Sequence, residues 1–408
     1  MTLVLVGLVP APAGAQIAQP AVVVETPATF TPSLAANATQ PDPAVYALAQ
    51  LGNQMYAGGK FDAIENSTRT TTYIRPNLVS FSATTGAVSP GFTPRFNGFV
   101  WALLASGTSL YVGGEFTTVN GAGRRGLAKI DATTGLLDPN FKPVVVSSGF
   151  VKEVRLVNNR LIIGGSFPKK LAAVNPTTGA DTGYVNLSIG GAYVYRFAVD
   201  PAGTRLVALG NLTTVNGLVR ARAFMLDLGA TSATLDPWYY QPLTKPCRSA
   251  ATVEYLRDVD FSPDGTYFVF ASTGFISRSG ELGETLCDAA TRFETNIPSP
   301  TRPTWINYTG GDTLHSVAVT GVAVYVNGHN RWLDNPLGVD SCRTTCVSRP
   351  GIGAIDPTSG KALAWNPGKT RGVGGKDLLA TSTGLWVASD GKMFNGRYHW
   401  GIAFVPLP

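Results

Sequence analysis

The last quarter of this 408-residue sequence holds its three histidines, His315, His329 and His399, and imidazoles gathered at one place could bind a metal or carry a proton. Their settings differ. His329 follows the glycine of "VYVNGHN", His315 precedes an apolar run, and His399 leads into the final one. Convergence on one metal is therefore not expected, and each reads as a hydrogen-bonded structural histidine. Asp258 and Asp260 alternate in "RDVDF", which puts both on one face of a strand, as the paired carboxylates of a hydrolase or lyase would be. The same stretch, "DFSPDG", also reads as strand, turn and strand with Asp264-Gly265 at the turn. His315 and Arg331 could serve a quinone-linked dehydrogenase as base and cofactor contact, but no motif accompanies them. The sequence contains no G-x-S-x-G elbow, P-loop or H-E-x-x-H. No catalytic residue, metal or cofactor is assigned.

Four cysteines, Cys247, Cys287, Cys342 and Cys346, lack a C-x-x-C element and neighbouring histidines, so they read as disulfides rather than zinc ligands. Three pairings are possible. The spacing of "CRTTC" allows a small loop between Cys342 and Cys346, which leaves Cys247 with Cys287 as the preferred second bridge. Disulfides suit an exporting compartment. The opening "MTLVLVGLVPAPAGAQ" resembles the end of a secretory signal, and residues 1–15 are expected to be its remnant. A secreted or cell-surface location is expected, with no membrane span, since no apolar run reaches about 20 residues. Asn37, Asn66, Asn186, Asn211 and Asn307 would accept glycans in a eukaryotic secretory route. The net charge of +6 comes from scattered Lys and Arg without a basic run, so nucleic acid is not an expected partner.

Surface recognition has more material. Residues 328–351, "GHNRWLDNPLGVDSCRTTCVSRPG", combine His329, Arg331, Trp332, Arg343 and Arg349 with the expected Cys342–Cys346 staple. A stiffened loop carrying Trp and Arg suits contact with an extracellular protein or polysaccharide.

The elements that position these residues are legible in a repeat. "MYAGGKF", "LYVGGEF", "LIIGGSF", "LVALGNL", "YFVFAST", "VYVNGHN" and "LWVASDG" begin at Met55, Leu110, Leu161, Leu206, Tyr267, Val324 and Leu385. Their spacing of about 45 to 60 residues is that of one four-stranded propeller blade. Residues 77–94 and 126–143 align without a gap through "SATTG" and "DATTG", segments suited to cap tight turns. The second unit is expected to hold strands over residues 100–105, 109–113, 126–131 and 136–141. The low charged share of 14%, with 46 Gly and 28 Pro, fits short strands and many turns. The last unit ends after a third strand, while "TFTP" at Thr29 parallels "GFTP" at Gly91. Residues 28–34 are thus expected to supply the missing outer strand. The fold expected is all-β, a single seven-bladed β-propeller over residues 28–408 closed by that N-terminal strand, with residues 16–27 flexible.

On the pattern "YVGGxFxxVNG...R.GLAxIDxTTG..DPxF.P", clearest in the first three units, the chain resembles the delta-60 repeat β-propeller family of secreted and cell-surface proteins, and more loosely the kelch propellers. The later portion, with "RDVDFSPDGTYFV" and "RPGIGAIDPTSGKALAWNPGKTRG", is similar to the divergent C-terminal half of bacterial members. The resemblance covers nearly all of the mature chain and implies a propeller scaffold without transferable catalytic residues. Units four, five and seven depart from it by losing the double glycine. The function expected is a non-catalytic binding or scaffold module, as a monomer or part of a larger surface protein. The alternative is an extracellular carbohydrate-active or quinone-linked enzyme acting at the channel mouth.

Overall fold

The computed structural model describes residues 17–247, 255–274, 276, 282–342 and 345–408. Residues 1–15, expected as a signal remnant, and Arg343 lie outside them. Short apolar runs separated by turn residues form strands throughout, and the described residues contain no α-helix, only a 3-10 turn at Gln241–Thr244. No helix among them is long and apolar enough to cross a membrane.

Seven antiparallel sheets, numbered here 1 to 7, begin in turn with Ala44–Leu51, Val100–Ser106, Val151–Val157, Ile189–Val199, Leu256–Phe261, Leu314–Val319 and Gly375–Thr381. Each leading strand pairs with the next strand in sequence, which in turn pairs with a third. The leading strand of every sheet packs against that of the following sheet, and that of sheet 7 packs against that of sheet 1. Alternate side chains of each sheet are buried against its two neighbours, as in the cluster of Trp238, Phe268, Phe270 and Phe293 that joins sheets 4 and 5.

In sheet 2 the first three strands, Val100–Ser106, Ser109–Gly114 and Leu127–Asp131, stand where the repeat predicts. The fourth run shrinks to a single bridge between Ile130 and Leu137. Pro139 has no N–H to continue the ladder, so this edge ends early. Sheets 4 and 5 carry full fourth strands, Ala233–Leu235 and Trp305–Tyr308. The "DATTG" turn is capped as its letters suggest: the Asp131 carboxylate accepts from the backbone N–H groups of Thr133 and Thr134 at 3.0 and 2.7 Å. These bonds hold its pKa below the usual carboxylate value.

Both disulfides are present. Cys247 joins Cys287 and Cys342 joins Cys346, with Cα atoms 5.8 and 5.6 Å apart.

The termini meet along Ile402–Pro406, the third strand of sheet 7. Backbone N–H groups of Val24, Ala28 and Leu34 donate to the carbonyls of Pro406, Phe404 and Trp400 at 2.8 to 2.9 Å. The contact begins earlier than residues 28–34. Ser33–Ala35 form their ladder with Ala63–Glu65 instead, in a small sheet beside sheet 1. The flexible segment expected over residues 16–27 is also corrected where it is described. Val23 is buried, its N–H donates to the Tyr325 hydroxyl at 2.9 Å, and the Trp365 indole donates to the Val24 carbonyl at 3.0 Å. The run of three valines, Val22 to Val24, covers apolar surface of sheets 6 and 7. Thr31 and His399 share a buried hydrogen bond of 2.9 Å.

Deleting residues 1–40 is expected to lower the melting temperature by about 5 °C or more; an unchanged melt would show that this seam contributes nothing. Burial, reinforced by Arg397, lowers the His399 pKa to about 4. The unfolded chain therefore binds the extra proton first, and stability falls as pH drops from 6.5 toward 4. Calorimetry of His399→Gln should show less acid loss over that window than the parent.

Candidate functional site

A shared irregularity occurs in every leading strand, at its start in six sheets and midway along Ile189–Val199 in sheet 4. In sheet 1, Val45 pairs with Gly59 and Ala47 with Gly58, so Tyr46 is an extra residue with no partner of its own. Trp101, Lys152, Tyr195, Arg257, His315 and Lys376 are the corresponding extra residues of sheets 2 to 7. The glycine pair accommodates this bulge. A Cβ on Gly59 would stand 2.1 Å from the Ala44 carbonyl oxygen of its own sheet, and one on Gly58 would stand 2.4 Å from a methyl of Val100 in the next. The repeated "GG" is thus the partner of a bulge and the seat of the following sheet. Where Asn327 replaces the first glycine in sheet 6, Gly375 replaces the valine opposite, and the space is filled from the other side.

The seven extra side chains gather at one end of the space between the leading strands. Tyr46 and Trp101 stack at 4.3 Å, and Lys152 Nζ lies 3.1 Å from the Trp101 ring centroid and 5.5 Å from that of Tyr195. The Arg257 guanidinium lies 5.6 Å from the same tyrosine ring. His315 and His329 have ring centroids 6.4 Å apart, and His315 Nε2 lies 3.2 Å from the Val373 carbonyl oxygen. Burial, with Lys376 and Arg257 adding to it, holds the His315 pKa well below its ordinary value. Burial also lowers Lys376, against the attraction of Asp390 and together with the repulsion of Arg257.

Immediately after the bulge, the next residue of each leading strand forms a second layer: Ala47, Ala102, Glu153, Arg196, Asp258, Ser316 and Asp377. Arg196 is its hub. The guanidinium pairs with Glu153 at 2.8 Å and reaches the Tyr46 carbonyl at 3.5 Å, linking sheet 4 to sheets 3 and 1. Asp258 accepts the Val317 N–H at 2.9 Å, and Asp377 accepts the Leu48 N–H at 2.8 Å, so each carboxylate ties its sheet to the next. Burial, opposed by Arg196, raises Asp258 to about 7 and Asp377 to about 6. Beyond this layer opens a cavity of about 960 Å³ lined by all seven leading strands, with Ile17 at its edge.

The residues singled out from the sequence are partly united. Asp312, buried, receives Arg331 at 2.8 Å and Arg371 at 2.9 Å, and His329 Nε2 lies 3.9 Å from it. Arg331 also pairs with Asp340 and stacks on Trp332 at 4.2 Å. Trp332–Leu333 pairs with Val347–Ser348, so the stapled loop is a hairpin. Arg349 does not join this group. It is buried at the hairpin base and donates to the carbonyls of Ser348 and Leu363, which makes it a framework residue. Asp258 and Asp260 share a strand face as expected, but both accept backbone N–H groups of sheet 6, Asp260 from Val319 at 2.8 Å. His399 lies in the terminal seam, apart from the other two. Among the described residues, no three His, Cys, Asp or Glu side chains are grouped to hold a metal ion.

Apart from His315, the bulged residues were missed from the sequence, although a signal was there. Tyr46, Trp101, Lys152, His315 and Lys376 each stand twelve positions before Gly58, Gly113, Gly164, Asn327 and Ala388, the first letter of the glycine-pair position.

No known protein family and no curated protein matches the chain. Among solved structures it is similar to the crystal structure of the computationally designed Ika8 protein, with a TM-score of 0.52 and 11% identity over 92% of this chain and 98% of that one. At that identity the likeness concerns the fold alone.

The raised Asp258 and Asp377 pKa values carry a sign. Both groups hold protons in the folded state at pH values where the unfolded chain has released them, so their contribution is full below about pH 4 and is lost as pH rises through 6 to 7. Asp258→Asn should reduce the loss of stability between pH 5 and 8 by about 2 °C or more in thermal melts. A slope equal to that of the parent would contradict the assignment.

Proposed function

We propose that the protein is an exported seven-bladed β-propeller of delta-60 repeat type that works as a non-catalytic binding module, holding an extracellular protein or polysaccharide at the bulged end of its leading strands. The repeat period, the packing of sheet 7 against sheet 1 and the seam between the termini support the propeller. One observation carries the functional part. The same backbone irregularity recurs in seven units, yet it presents Tyr, Trp, Lys, Tyr, Arg, His and Lys, so a fixed scaffold displays unlike side chains at one place. The stapled hairpin of residues 328–351 borders the same end through His329, which faces His315. Aromatic rings and cationic groups around a small pocket are suited to anchor a partner.

The alternative, an extracellular carbohydrate-active or quinone-linked enzyme, is favoured by the near-neutral Asp258 beside Asp377. Their backbone hydrogen bonds give both carboxylates a structural task that the binding module already explains.

Retention of the purified protein on a panel of immobilised polysaccharides and matrix proteins tests the proposal. Saturable retention on at least one surface is expected, reduced about tenfold or more by Trp101→Ala together with Tyr195→Ala while the circular-dichroism spectrum is kept. Absence of retention on every surface, or turnover of a retained polysaccharide, would overturn it.

A further inference from the structure

The bulged end is divided. Over sheets 1 to 4 lies an arc of rings: Phe99 meets Trp101 edge-on at 6.3 Å, Tyr46 stacks on Trp101 with Lys152 over its opposite face, and Phe150, Tyr193 and Tyr195 continue the series at 5.9 and 6.3 Å. Over sheets 5 to 7 the corresponding positions are Arg257, His315 and Lys376, with Arg371 nearby on Asp312. No acidic residue occupies any of the seven bulged positions.

Where the two halves meet there is a pocket of about 20 Å³ between Tyr46, Trp101, Lys152, Tyr195, Arg196 and Lys376. That volume holds about one water or one carboxylate oxygen. Three of its six lining residues are cations, and none of the described residues lining it is acidic. The Trp101 indole N–H has no acceptor among the described residues. Arg196 is already engaged by Glu153, whereas burial, opposed by Asp390 and aided by Arg257, holds the Lys376 pKa below its ordinary value. An oxyanion in this pocket would offset both costs.

We propose that this end of the molecule receives an acidic sugar, the carboxylate of a uronic acid seated between Lys152 and Lys376 and its pyranose ring lying against the half-buried rings of Phe150 and Tyr193 in the arc. The two halves match the two features of that ligand. A pyranose presents a face of C–H bonds that packs on aromatic rings, and a uronate adds one charged group at its edge. An acidic peptide would match the cations but would not account for the arc of flat faces. The assignment rests on the binding-module proposal and narrows its partner.

Isothermal titration of the full chain with tetragalacturonate, neutral tetragalactose, inorganic phosphate and a tetraglutamate peptide provides the test. Tetragalacturonate is expected to bind at least tenfold more tightly than the other three. Lys376→Met and, separately, Lys152→Met should each weaken it about tenfold, with folding checked by thermal melts. Equal affinity for tetragalactose would overturn the acidic-sugar assignment and leave the binding module standing. Equal affinity for phosphate would reduce the pocket to a general anion site, and equal affinity for the peptide would move the partner to another class; either result overturns the assignment. Absence of binding to all four also overturns it, while retention on the polysaccharide and protein panel separately decides the module.

Discussion

A mismatch of one residue between the leading strand and its partner governs this structure. Each of the seven sheets contains it at the same place, and each time it turns two consecutive side chains toward the central space instead of one. The first layer becomes the ring of aromatic and cationic groups, and the second becomes the layer around Arg196. Without the extra residue, strict alternation would bury every second side chain between sheets and leave one layer for all the polar chemistry. In sheets 1 to 3 glycine pairs give the bulge its room, since a methyl group at Gly59, Gly114 or Gly165 would stand within 2.2 Å of a carbonyl oxygen; sheets 5 and 7 form the same bulge opposite Ala271-Ser272 and Ala388-Ser389.

The two layers are electrically opposed. Cations and rings lie at the bulged end, and three carboxylates with one arginine lie between them and the cavity. Lone buried charges would be costly, and the fold offsets that cost by using the carboxylates twice: they attract Arg196, and they accept backbone N–H groups that each neighbouring sheet presents. Charge and sheet-to-sheet registration are therefore coupled. A change in protonation at Asp258 alters both the field at the hub and the clip to Val317.

Much of the architecture could be read from the letters because turns and strands depend on local chemistry. The capping role of Asp131, the glycine pairs of the first three units, the preferred pairing of the four cysteines and the meeting of the termini could be read from spacing and residue type. The site was less legible. Arg331 and Trp332 looked available in the sequence, yet Asp312, fixed by a different turn, engages the guanidinium, and the indole stacks on it. Arg349 looked equivalent to them and is turned inward by the hairpin register. Tyr46, Trp101 and Lys152 looked like ordinary strand residues because a bulge is a property of pairing between strands. A single strand does not announce which of its residues will be left without a partner.

The terminal seam also has a consequence in time. Val24, Ala28 and Leu34 find their backbone partners on Trp400 and the strand Ile402–Pro406, about 370 residues later, so during synthesis these N–H groups must wait for the last residues to emerge. Sheets 1 to 6 pair locally and can assemble as they appear. The last step is then a long-range closure, which leaves the first apolar residues exposed to wrong partners until the end of the chain arrives.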